Sequence, residues 1–468
     1  MKKLNAIKWY WLAVSGGYAV AAAVLVARVL SSGSWRAELS PLYALLRPQF
    51  SPWGLIALPL FALLLALLPR LLAARAHVFL PCATLYGAAL ALAVNMLWTG
   101  VADLPARGIT VFLRDLRNLG GSPAFLGSYH ELVTHISDHG HVRPPGLFLF
   151  LWSSVKIFGQ NLYVLQAVVT LLAAAAAFPI YALARRFLGR EASGLAVLLY
   201  LLSGSFVTHG VSYDGLFATL GAAGIYLLVV VAQKGRWRDT VAAGALFAIA
   251  AFSSFTLAFL PVLGGALLIY YGVKERAMGQ LLLRAAAVVG IPAAFLFILY
   301  IASGYDFLAN FRESYRWAQT QASGGMNVFK LLSGWELPSG YPHPSYYRSY
   351  WLWVPANLFA TFFTLGIPTA ALYLWWARDL LRRGAWAKPL NAVFGTALVA
   401  FLLFNLTGVT LGETERIWLY LLPILTIPAA ARLAEAEAAA RSRRFRSLVL
   451  VVLFSQVVAM RLCFWIPW

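Results

Sequence analysis

Charge is scarce in this 468-residue chain, at 12% of residues, and acidic charge is scarcest, with 17 Asp and Glu against 37 Lys and Arg. A soluble domain needs a polar coat, and a chain that is 61% hydrophobic cannot supply one. Cysteine is nearly missing. The layout below sends the only two, Cys82 and Cys463, toward opposite membrane faces, which excludes a disulfide between them. No glycine-rich phosphate loop is found, and no internal repeat. The basic stretch Met1 to Lys8 is not followed by a clean small-residue cleavage site, so the first apolar run reads as an anchor rather than a removed signal.

What the sequence does have is apolar runs from end to end. Each is long enough to cross a hydrocarbon core of roughly 30 Å as a helix. Stretches such as Leu55 to Leu68 and Leu171 to Ile180 are apolar on every face, whereas a barrel strand would alternate, so helix is the spanning form. Thirteen spans are expected, near 9–30, 53–69, 77–99, 161–183, 191–209, 213–232, 240–255, 256–273, 282–303, 350–376, 389–409, 417–433 and 446–465. With the N-terminus cytoplasmic, every strongly basic short loop faces inward, from Arg70 and Arg75 to Arg432–Arg446. That pattern accounts for the net charge of +20 without a nucleic acid partner. Leu147 to Phe158 is also apolar, but counting it as a span would turn Arg185, Arg186 and Arg190 outward, so it is expected to lie along the membrane or re-enter.

The predicted organisation follows. Residues 1–76 hold two N-terminal spans, and 77–303 form a membrane core with a first outer loop at 99–159. Residues 304–349 form an outer aromatic loop or lid, and 350–468 carry the C-terminal spans. Long loops on a rigid scaffold are where function concentrates.

The first outer loop gathers acid, His and Arg side chains where membrane meets water. Asp103 comes a few residues after a membrane helix, which fixes its depth, and a carboxylate there can act as general base on an acceptor hydroxyl. Asp115, Glu131 and Asp138 are alternatives for that role, although Asp115 beside Arg114 and Arg117 also fits a solvated, self-paired surface. His139, His141 and Arg143 precede Pro144-Pro145-Gly146, whose fixed backbone aims them consistently. His135 and His139 are four apart, but a water-activating partner is lacking, so no metal or other cofactor is expected.

The segment His141-Val-Arg-Pro-Pro-Gly-Leu-Phe-Leu-Phe-Leu-Trp152, with Phe158-Gly159, Asn161 and the later Ala184-Arg-Arg-Phe-Leu-Gly-Arg190, resembles the GT-C glycosyltransferase superfamily. It is similar to protein O-mannosyltransferases and lipid A aminoarabinose transferases, over about residues 77–232. The resemblance implies an all-α, polytopic GT-C-like fold and matches Asp103 to the family's catalytic acid. It departs in carrying Asp-Leu where many relatives carry Asp-Glu, and in having two extra spans before the matching helix. Two further outer positions fit. One is His209 to Gly215 with Tyr213 and Asp214; the other is Gly412 to Trp418, where Glu413 and Arg416 share a face as a structural pair or to free Arg416 for phosphate.

Together these features predict an extracytoplasmic, inverting glycosyl transfer in a bacterial or archaeal plasma membrane. The donor is a polyprenyl-phosphate sugar and the acceptor a glycan, lipid or protein. Asp103 is the base; Arg143, Arg416 and His141 meet the donor phosphate; His139, Tyr213, Asp214, Glu413, Arg312 and Arg348 line the substrate. A ligase or polymerase acting on undecaprenyl-diphosphate glycans shares this architecture. A flippase or transporter would place charge in mid-membrane, where these helices have almost none.

Overall fold

The computed structural model describes residues 2–32, 42, 44–102, 104, 107–234, 236–276, 278–322, 350–408, 410, 413–440 and 442–465. They are nearly all helical. The only strand pairing among them joins Leu45–Leu46 to Phe464–Trp465, tying the segment after the first helix to the end of the last one.

Among the described residues ten helices are long and apolar enough to span a membrane, from Ile7–Ala27 to Arg444–Cys463, and an eleventh span results if the bent pair Trp353–Leu365 and Ile367–Arg383 is counted once. Two of the thirteen expected spans are the difference. The stretch expected at 191–209 is divided into Arg190–Leu201 and Gly204–His209, because Ser203 ends the first piece and its hydroxyl caps the second, accepting from Phe206 N–H at 3.2 Å. The stretch expected at 240–255 becomes a helix of 17 residues, Trp237–Ser253, which is short for a full crossing. The segment Gly146–Phe158 is a 13-residue helix, too short to cross, packed against Trp237–Ser253, Leu162–Ala174 and Arg107–Asn118. Its length agrees with the expectation that it is not a crossing span.

Helix Asp214–Lys234 is central, packing against Leu162–Ala174, Trp237–Ser253 and Phe259–Glu275. Beside it, residues 193–201 are buried without exception and lie against Leu422–Ala440.

The bent pair turns by 117° at Gly366. A φ of 100° there is the region glycine tolerates, and a Cβ would collide with Leu453. The break frees backbone groups that lipid cannot satisfy. Gln456 satisfies them: Ile367 N–H donates to its Oε1 at 2.9 Å, and its Nε2 donates to the Phe363 carbonyl at 2.7 Å. Tyr18 donates to the same Oε1 at 3.0 Å, bringing in the first helix.

Candidate functional site

Asp214 is the first residue of helix Asp214–Lys234, where the positive end of the helix dipole favours a carboxylate. Its Oδ1 accepts from Arg143 Nη2 at 2.5 Å and its Oδ2 from Arg416 Nη1 at 2.7 Å. All three side chains are at most 8% exposed. Glu413 also pairs with Arg416, so among the described residues two guanidiniums face two carboxylates in one cluster. Burial works against the charge of Arg416, but Asp214 and Glu413 outweigh it and hold the guanidinium protonated beyond even arginine's ordinary range.

Local sequence explains how each member arrives. Arg143 sits on the turn between Asp138–His141 and Gly146–Phe158, with its backbone carbonyl accepting from the Tyr129 hydroxyl at 2.8 Å. Its Nη1 reaches Ser254 Oγ at 3.4 Å, and its guanidinium lies 5.2 Å from the centre of the Phe217 ring. Gly146 allows the following helix to approach, since a Cβ there would strike the Phe252 carbonyl oxygen. Arg416 is presented by the single turn Thr414–Ile417, entered through Glu413 at φ 56°, a left-handed conformation that is strained for a residue with a side chain. Such outliers cluster where geometry is put to use.

His141 is buried beneath this level. Its Nε2 lies 3.6 Å from Glu313 Oε1, and its carbonyl accepts from Ser314 at 2.8 Å, so helix Phe307–Ala322 closes over the first loop. Tyr213 is 2% exposed and packs edge-on against Phe112 at 5.4 Å. Its hydroxyl has no hydrogen-bond partner among the described residues.

The structure therefore brings Arg143, Asp214, Glu413 and Arg416 together, with Tyr213 next in chain to Asp214 and His141 two residues before Arg143. Arg312 lies exposed on helix Phe307–Ala322, outside that cluster. Asp103 and Arg348 lie outside the described residues, as does the side chain of His139. Of the other loop acids, Glu131 is exposed beside His130. Asp115 differs from the solvated reading: it is 1% exposed and accepts from the Ser137 N–H at 3.1 Å and the Ser137 hydroxyl at 2.5 Å. It pins the short turn that leads to His141 and Arg143. Burial pushes its carboxyl above the ordinary carboxylate range, against the opposing pull of Ser137 and Arg114.

Sequence reasoning missed Tyr129, Ser254, Glu313 and Arg461. Glu313 was recoverable, because it lies in the outer segment 304–349 that the sequence already marks as a loop or lid. Nothing local marked the other three. Among the described residues no group of three or more His, Cys, Asp or Glu side chains comes together as a metal site.

Residues 142–301, about a third of the chain, match the family model described as dolichyl-phosphate-mannose-protein mannosyltransferase. No curated protein matches the chain. Among solved structures, it is similar to ArnT from Cupriavidus metallidurans bound to undecaprenyl phosphate, at 16% identity and a TM-score of 0.44 over 74% of this chain and 61% of that one. The apo state of the same protein matches at 16% identity and 0.44, over 66% and 52%. The chain thus spans about three-fifths or less of the length of the solved chains it matches. Over the family-model stretch, which carries both Arg143 and Asp214, the chain resembles the GT-C superfamily of integral membrane glycosyltransferases.

Proposed function

We propose that this protein is a glycosyltransferase that takes a sugar from a polyprenyl-phosphate-linked donor and passes it to an acceptor at the outer face of the membrane. The observation that carries the reading is the buried Arg143–Asp214–Arg416 bridge, two members of which lie in the stretch resembling the mannosyltransferases. The placement of the basic loops supports the outward orientation, and the undecaprenyl phosphate bound to ArnT supports the class of lipid carrier.

In this reading the donor phosphate meets Arg143 and Arg416. Asp214 holds one nitrogen of each guanidinium, while Ser254 meets a second nitrogen of Arg143 and Glu413 a second nitrogen of Arg416, so both forks are fixed in orientation. His141 lies on the approach. The acceptor hydroxyl attacks the anomeric carbon, the new C–O bond forms as the bond to the phosphate oxygen breaks, and the electron pair departs onto phosphate. The acceptor proton passes to Asp103, and single displacement inverts the anomeric centre. Contact with sugar and acceptor is assigned to Tyr213, Glu413 and Arg312 and, on the sequence reading alone, to His139 and Arg348. Helix Phe307–Ala322 helps exclude water, which would otherwise hydrolyse the donor.

The test is transfer from a panel of synthetic polyprenyl-phosphate and polyprenyl-diphosphate sugars by the purified protein, beside Asp103→Asn and Arg416→Gln, with and without EDTA. Transfer from a monophosphate donor, lost in both variants and indifferent to EDTA, is the expected result. Transfer from diphosphate-linked glycans alone would move the reading to a ligase. No transfer from any donor, with lipid binding unchanged in Asp103→Asn, would replace it with a lipid flippase.

A further inference from the structure

Outside the cluster around Asp214 a further guanidinium is buried, and among the described residues no carboxylate pairs with it. Arg461, in the last turn of helix Arg444–Cys463, is 4% exposed. Among the described residues it has no hydrogen-bond or ion-pair partner, and its buried Nε is unsatisfied. Its one favourable contact is with Trp98, whose ring centre lies 5.7 Å from the guanidinium carbon. That is close to the limit of about 6 Å for a cation over an aromatic face. On the same ring, also at 5.7 Å, lies the guanidinium of Arg47, which is exposed.

This arrangement is built. Trp98 Nε1 donates to the Arg47 carbonyl at 2.9 Å, and Arg47 N–H donates to the Cys463 carbonyl at 2.9 Å. The pairing of Leu45–Leu46 with Phe464–Trp465 continues the tie. Hydrogen bonds to the backbone thus hold two cations on one indole, one at the surface and one in the interior. Like charges fixed together and partly desolvated oppose folding unless an anion joins them. Two guanidinium forks at graded depth suit the tetrahedral oxygens of a phosphate, with Arg47 meeting it first.

We propose that Arg461 and Arg47, held on Trp98, form a second anion subsite for a phosphate-bearing molecule, separate from the Arg143–Asp214–Arg416 cluster. This goes beyond the transferase reading and stands whether or not sugar is transferred.

The experiment is thermal unfolding of the full chain in uncharged detergent, alone, with inorganic phosphate, and with dodecyl phosphate. Wild type is compared with Arg461→Gln, Arg461→Lys, Arg47→Gln and, as a control, the exposed Arg238→Gln. Phosphate is expected to raise the wild-type Tm by on the order of 3 °C. The rise should vanish in Arg461→Gln, shrink in Arg461→Lys and Arg47→Gln, and persist in Arg238→Gln. Without phosphate, Arg461→Gln should melt no lower than wild type, since it removes an unpaired buried charge. A response to inorganic phosphate identifies a free anion as sufficient; a response to dodecyl phosphate alone identifies a lipid-borne one. The proposal fails if neither probe raises the wild-type Tm. It also fails if Arg461→Gln or, should that variant not fold, Arg47→Gln retains the full rise.

Discussion

Asp214 Oδ2 and Arg416 Nη1 lie 2.7 Å apart, although 202 residues separate them in the chain. Because Arg143 holds the other oxygen of the same carboxylate, one side chain joins the first long loop to the C-terminal third. Asp214→Asn leaves two buried guanidiniums facing each other, and a loss of about 3–5 kcal/mol in unfolding free energy is expected. In a double-mutant cycle with Arg416→Gln, measured by denaturant unfolding in detergent, the double variant should lose less than the two single losses combined. Strict additivity would show that the bridge is not an energetic unit.

Gly146→Ala tests the approach that places Arg143. The added methyl meets the Phe252 carbonyl oxygen, a backbone atom that cannot rotate away. A stability loss of about 1–3 kcal/mol is expected, together with lower transfer activity, since Arg143 lies three residues upstream. Full activity in a folded Gly146→Ala protein would show that the helix start does not set the position of Arg143.

Asp115 gives a pH signature. Its folded carboxyl titrates above its unfolded one, so the folded chain holds the extra proton. The stability this contributes is complete below the unfolded value and is lost as pH rises through the folded one. Asp115→Asn cannot lose it. The Tm of wild type, relative to the variant, should therefore fall as pH is raised from the ordinary carboxylate range through the values just above it. An offset between the two proteins that ignores pH would contradict the assignment.

Gln456→Leu removes the partner of Ile367 N–H and one of the two donors to the Phe363 carbonyl, which Gly366 N–H also meets at 3.1 Å. The stranded N–H costs about 1–3 kcal/mol. Gln456→Glu keeps the acceptor and loses the donor, so its loss should be the smaller of the two in the same unfolding assay. Equal stability of Gln456→Leu and wild type would mean that the break is satisfied in another way.

Much of the fold was legible in hydropathy, because apolar runs of membrane length report helices directly. The two departures have local causes. Ser203 ends one helix and caps the next within an apolar run, and Trp237–Ser253 stops at Ser254, whose hydroxyl meets Arg143. The site was half legible. Arg143, Asp214 and Arg416 stand out as charges at helix ends, where burial demands a partner. That both arginines share the Asp214 carboxylate could not be read from the sequence, since nothing local says which helix ends meet. Arg461 was passed over for a related reason. One arginine at the end of an apolar helix looks like an interfacial anchor until Trp98 and Arg47 are seen around it.

The break at Gly366 bears on how the chain is made. Gln456 follows Ile367 by 89 residues and Phe363 by 93. Synthesis runs from N- to C-terminus, so both halves of the bent pair leave the ribosome well before the amide that completes them. Until helix Arg444–Cys463 arrives, the bend has an Ile367 N–H that the hydrocarbon cannot satisfy. The pair is thus unable to partition into lipid in its final shape on its own, and biogenesis of this region closes with the last helix. A ribosome stalled before Gln456 should hold a nascent chain whose Trp353–Arg383 segment is still accessible to aqueous thiol reagents at introduced cysteines, and release past that point should protect it.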